Sequence, residues 1–170
     1  LLALRPYHPI WIMTHFNHPR ELTVEAALAC NRLADAGFPV MNHSVLLRGV
    51  NDDADILAKL FRGLVRLRVR PYYLLQADPV QGTGHLRTPL QVGVAIMERL
   101  QGRLSGIALP KFIVDTPGGC GKVPVSPDYI VSQKPVRRSL IMAGKKREKA
   151  KKGRQIALAG AKLSKPSKKK

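Results

Sequence analysis

Four strand-length apolar runs, separated by three helix-periodic segments, constrain this chain more than any other feature of its sequence. The runs occupy residues 9–16, 40–47, 69–76 and 107–114, and apolar side chains between them recur at helical spacing. Thr23 is placed to cap a helix over 24–36, in which Ala27, Leu28, Cys30, Leu33 and Ala34 share a face and which Gly37 ends. Asn51 to Asp53 offer caps to a second helix built on Ile56, Leu57, Leu60, Phe61, Leu64 and Val65. A glycine-containing loop over 81–87 precedes Thr88-Pro89-Leu90-Gln91, which fits a capping box with proline at the first helical position of a third helix, running to about residue 101. The resulting βαβαβαβ order predicts an α/β fold of parallel strands with right-handed crossovers. Four strands cannot close a barrel by themselves.

In parallel α/β folds the ligand lies beyond the carboxyl ends of the strands. His15, Asp78 and Asp115 stand at or just past three such ends. The last strand runs into Asp115-Thr116-Pro117-Gly118-Gly119-Cys120-Gly121-Lys122-Val123-Pro124, a glycine-rich turn followed by a lysine. Successive free N–H groups in such a turn can form an anion-binding nest, and a partly desolvated lysine beside it can form a Schiff base with an aldehyde. A surface loop with a solvated lysine fits the same residues, and short glycine motifs do not decide between the two. Two carboxylates at neighbouring strand ends repel each other unless a cation lies between them. An ammonium with three donors suits that place.

The segment from Asp115 to Pro124 resembles the pyridoxal-phosphate lysine segment of the lysine 2,3-aminomutase family. Three further stretches agree in order: Thr14-His15-Phe16-Asn17-His18-Pro19, Ser44-Val45-Leu46-Leu47-Arg48-Gly49-Val50-Asn51-Asp52 and Arg70-Pro71-Tyr72-Tyr73-Leu74-Leu75-Gln76-Ala77-Asp78. The likeness covers roughly residues 9–133. It implies the C-terminal half of an incomplete (β/α) barrel over residues 1–133, with Lys122 as the catalytic, pyridoxal-phosphate-binding lysine. It also implies that Asp78 and Asp115 bind the side-chain ammonium of L-lysine, which the family converts to β-lysine, and that His15 lies near the cofactors. A strand-end histidine bonding a backbone carbonyl is the competing reading of His15. His43 stands where the family carries glutamine, so its contact with phosphate or the adenosyl group is an expectation only. Leu75 replaces a tyrosine, and His18 and the Arg48–Asp52 stretch are read as structural. The family starts its radical from S-adenosylmethionine at a [4Fe–4S] cluster.

Two absences qualify the resemblance. No Cys-x₃-Cys-x₂-Cys occurs, the cysteines being Cys30 and Cys120, so the cluster ligands are expected on an N-terminal half outside this chain. The arginine that holds the substrate carboxylate in the family is likewise expected upstream of Leu1. In addition, Asp53 occupies the place of a zinc-binding cysteine in some members and the terminal cysteine cluster that completes that site does not occur, so no metal site is expected. The expectation is therefore an aminomutase-like isomerase that does not turn over alone, with homo-oligomerisation left open. Cys30 reads as a small buried hydrophobe. Cys120 replaces a glycine, which requires a negative φ there.

Of the formal net charge of +18, most lies after residue 133: residues 134–170 hold 15 Lys or Arg against the single acid Glu148. That stretch reads as a mostly disordered tail. Polylysine contacts phosphate backbones weakly and nonspecifically, so a noncatalytic α/β remnant with a nucleic-acid-binding tail is the rival from a different class. A β-lysine-forming relative that serves translation-factor modification is the rival within the enzymes. No run is long and apolar enough to span a bilayer, and with no secretory signal and no disulfide framework the chain reads as cytoplasmic.

Overall fold

The computed structural model describes residues 1–116, 121–134 and 137–140. Apolar periodicity sets the three helices, and side-chain caps open the first two. Thr23 accepts a hydrogen bond from the Ala26 amide at 3.3 Å and opens α1, Val24–Asp35. Asp53 accepts from the amides of Asp55 and Ile56 at 2.8 and 3.1 Å and opens α2, Ala54–Arg66. Asp53 is thus a helix cap. The third helix, α3, covers Leu90–Leu100.

Between the helices run β1 (Ile12–Thr14), β2 (Val40–Leu46), β3 (Val69–Gln76) and β4 (Lys111–Thr116), each parallel to the next. A fifth strand, β5 (Gly121–Pro124), returns antiparallel along β4, giving the order β1-β2-β3-β4-β5. Period two divides β2: Val40, Asn42, Ser44 and Leu46 are buried, while Met41, His43 and Val45 are half-buried on the other face. The buried face packs on the helices. Cys30 of α1, Leu57, Phe61 and Leu64 of α2, and Ile96 and Leu100 of α3 share one core with Val40, Leu46, Val69, Leu74 and Phe112. Each such side chain contributes about 1.5–3 kcal/mol of apolar burial. The opposite face stays open at the carboxyl ends of the strands. This is the layering of part of a (β/α) barrel.

Several expectations need correction. The first strand is short because residues 9–11 lie before the start of its partner, where Ile12 pairs with Val40. Ile107 belongs to no strand: it sits in a turn closed by Ala108 N–H on the Ser105 carbonyl (2.9 Å), 57% exposed, and Pro110 has no N–H to carry the ladder backward. The capping box before α3 does not form. The helix starts one residue later with Pro89 as its cap, leaving the Thr88 hydroxyl buried without a partner while its carbonyl accepts from Gln76 Nε2 at 2.8 Å. The sheet is not wholly parallel, and Lys122 lies on β5 instead of in a turn.

The chain divides into two units, Leu1–Pro127 and Asp128–Lys170. In the second, β6 (Ile130–Lys134) pairs antiparallel with β7 (Arg137–Leu140), although hydrophobic periodicity fades there. The proposed anion nest, Cys120 and the remainder of the basic tail fall at residues 117–120 and 141–170, outside the described residues. Among the described residues no helix is long and apolar enough to cross a membrane.

Candidate active site on the open sheet face

A network of buried amides fixes the carboxyl end of β1. Asn42, 1% exposed, accepts from the Phe16 amide (2.7 Å) and Thr14 Oγ1 (3.0 Å) and donates to the Phe16 carbonyl (3.0 Å) and Ser44 Oγ (2.9 Å). Asn17 Oδ1 accepts from the Val45 amide (2.7 Å). Asn51, wholly buried, accepts from Leu47 N–H (2.7 Å) and donates to the carbonyls of Asn17 and Val45, both at 2.8 Å. Burying backbone polar groups without such partners costs about 1–3 kcal/mol each, so these side chains let an irregular segment leave the sheet. His18 does similar work, accepting from the Arg20 amide at 3.2 Å within a capping box with Glu21. The polar insertion 42–44 was visible in sequence, but its partners, 26 or more residues away, were not.

On β3, Pro71 stands opposite Asn42 and Tyr73 opposite His43, so Tyr72 is an extra residue in the strand. Proline has no N–H for the ladder and is accommodated at such bulges. Consecutive strand residues ordinarily face opposite sides. The bulge instead brings both rings to His43, with centroids 5.8 Å (Tyr72) and 5.2 Å (Tyr73) from the imidazole and 4.0 Å from each other. Tyr73 donates its hydroxyl to Tyr72 at 3.1 Å, which holds the Tyr73 phenol above its ordinary value of 10.0. Sequence reasoning assigned neither ring a role; Pro71 inside an apolar strand was the available signal.

His43 is held below the ordinary 6.5, first by desolvation and then by the positive charges of His15 and Lys122. Its Nε2 is buried and has no hydrogen-bond partner. Lys122 lies opposite Asp115 in the β4–β5 register, with Nζ 2.5 Å from Oδ2 and the two side chains 43% and 36% exposed. Thr116 Oγ1 donates to the Gly121 carbonyl (2.9 Å) and closes the same hairpin. His15, exposed just past β1, lies within electrostatic reach of His43. The structure therefore gathers His15, His43, Asp115 and Lys122. Asp78 is exposed, two residues beyond β3, and the ion pair of Lys122 is with Asp115.

A reachable primary amine, an adjoining carboxylate, a neutral imidazole with a free buried nitrogen and two stacked phenols form a donor set that fits pyridoxal phosphate. The described residues do not fit an iron–sulfur cluster. Cys30 is 3% exposed in the apolar core, with burial raising its thiol above the ordinary 9.0, and no group of three His, Cys, Asp or Glu gathers among the described residues.

A family model described as Lysine-2,3-aminomutase matches residues 97–142. An L-lysine 2,3-aminomutase from Fusobacterium nucleatum is 54% identical over 134 residues, 79% of this chain and 32% of that protein. A glutamate 2,3-aminomutase from Clostridioides difficile is 48% identical over 76% of this chain and 31% of its own length. The chain thus spans about a third of the curated relatives it matches. A radical SAM methyltransferase crystal structure from Sphaerobacter thermophilus superposes with a TM-score of 0.50 over 63% of this chain and 34% of that one, at 20% identity, a likeness of fold.

Proposed function

Because this chain belongs to the lysine 2,3-aminomutase family, we propose that its open sheet face is the amino-acid and pyridoxal-phosphate side of a radical 2,3-aminomutase acting on L-lysine. The observation that carries this reading is the register pair Lys122–Asp115, set on the open face within reach of His43. Bound pyridoxal phosphate supplies an electron-withdrawing ring through which an amino group can migrate between adjacent carbons.

Lys122 is the tether and proton carrier. Its amine is half-exposed, so both an aldehyde and an incoming amine can reach it. Asp115 holds that amine at the strand mouth by a charge-assisted hydrogen bond. When Lys122 gives up its ammonium charge, the Asp115 carboxylate loses its cation and can accept the side-chain ammonium of lysine, with Asp78 as the second carboxylate from the neighbouring strand end. That change of partner favours a cationic over an acidic substrate. His43, neutral near pH 7, offers a hydrogen bond from or to Nε2 without adding charge, and Tyr72 and Tyr73 fix its ring plane. His15 lines the same face.

S-adenosylmethionine and its [4Fe–4S] cluster belong, in this reading, to an N-terminal half that the chain does not include. Turnover by this chain alone is not expected.

The test is selective modification. Incubation of the full chain with pyridoxal phosphate, borohydride reduction and peptide mass spectrometry should place the adduct on Lys122 in preference to the lysines of 145–170, and Lys122→Ala should abolish that peptide's label. Labelling spread evenly over the tail lysines, with Lys122 no better than the rest, defeats the proposal.

A further inference from the structure

On the helix layer, the last turns of α2 and the loop after α3 meet at a cavity of about 210 Å³. Arg62 and Arg66 from α2, and Arg103 and Ser105 from the loop, form its walls over Val65 and Ala108. This lining holds three guanidinium groups and no carboxylate. Asp55 neutralises the edge of this cluster: it accepts from Arg103 at 2.6 Å and lies 4.0 Å from Arg99. Arg62 Nη2 donates to the Arg103 carbonyl at 3.1 Å, which ties the loop to the helix and sets both side chains at the cavity. Three arginines, Arg62, Arg99 and Arg103, therefore act on one carboxylate. That carboxylate is held below its ordinary 3.8, mainly by the Arg103 hydrogen bond, with Arg99 and Arg62 adding to the effect.

A basic residue in the last turn of a helix is favoured by the macrodipole. That accounts for Arg66, but not for Arg103 and Ser105, which line the same cavity from another segment. Guanidinium forks match the paired oxygens of phosphate. The volume lies below the roughly 300–1,000 Å³ typical of pockets for whole drug-sized ligands, which suits one or two phosphate groups and no more. We propose that this arginine-lined cavity between α2 and the 101–108 loop binds a phosphate group, carried either by a small phosphorylated compound or by a nucleic-acid backbone. The site is separate from Lys122 and does not rest on the aminomutase reading.

Inorganic pyrophosphate, titrated at low ionic strength into the isotope-labelled full chain, is the probe, read at the backbone amides of Arg103 and Ser105 by NMR. These amides should shift and saturate. Arg66→Gln should weaken the midpoint there roughly five- to tenfold, the scale of one exposed charge-assisted contact, and Arg103→Gln should do the same. Asp55→Asn should tighten it, and Arg32→Gln on α1, with the same change in net charge, should leave it unmoved. A short single-stranded oligonucleotide that shifts the same amides assigns the phosphate to a backbone, whereas shifts with pyrophosphate only assign it to a small compound. Shifts that never saturate, or that respond equally to Arg32→Gln and Arg66→Gln, overturn the proposal.

Discussion

His43 and Tyr73 are register partners across β2 and β3, and their rings stack with centroids 5.2 Å apart. The packing costs the imidazole its easy protonation, because desolvation and the charges of His15 and Lys122 all disfavour the cation. In the unfolded chain this histidine regains its ordinary value of 6.5. Below that pH the unfolded state binds more protons than the folded one, so stability falls on acidification until the depressed folded value is passed. Thermal midpoints of His43→Gln should therefore decline less than those of the parent chain between pH 7 and about pH 5, the window below an ordinary histidine. Parallel curves for the two proteins rule out the assigned environment.

Asp115 and Lys122 form a surface pair, and such pairs contribute about 0–1 kcal/mol. Asp115→Asn should accordingly shift the urea midpoint little while lowering the yield of reduced pyridoxal adduct on Lys122, since the amine loses the group that holds it at the strand mouth. A loss of several kcal/mol, with labelling intact, would show Asp115 to be a structural residue.

Much of the scaffold was legible because it rests on local signals. The apolar run at 69–76 is β3 with the same bounds, and Thr23 and Asp53 cap the helices they precede. Legibility ends where pairing partners decide. Gly121–Pro124 has no apolar period and becomes a strand only because β4 supplies a ladder, so Lys122 looked like a turn residue. Ile107 is apolar yet exposed, since the following Pro110 delays the strand. Strand-end reasoning named His15, Asp78 and Asp115; the structure sets Asp115 against Lys122 and His15 within electrostatic reach of His43, while Asp78 is exposed beyond β3 and Lys122 pairs with Asp115. The tyrosine pair required a bulge that no composition or spacing announces.

The buried amides should prove structural. Asn51→Ala strands the Leu47 amide and leaves the Asn17 and Val45 carbonyls without that donor. With a cost of about 1–3 kcal/mol for each group left unpaired, this substitution should lower stability by roughly 2–4 kcal/mol. Asn42→Ala should cost a similar amount through Phe16. Chemical denaturation of each variant is the check, and a change below about 1 kcal/mol in both would mean that water replaces the side chains at little cost.

Gly93 sets how closely α3 can approach β4. It is buried within the helix, where alanine would ordinarily be preferred by about 1 kcal/mol. A Cβ built there, however, overlaps the ring of Phe112, itself 2% exposed beneath the helix. The ring cannot retreat, because it is enclosed by the same core that holds Ile96 and Leu100. Packing should therefore outweigh propensity, with Gly93→Ala destabilising by about 1–3 kcal/mol as overpacked cores do. Phe112→Leu alone should also destabilise, by removing buried ring atoms. Combined, the two should cost less than their sum, since the smaller side chain makes room for the added methyl. Strict additivity in a double-mutant cycle of denaturation midpoints would show that α3 simply moves outward, and that the helix-to-strand distance is not set by this contact.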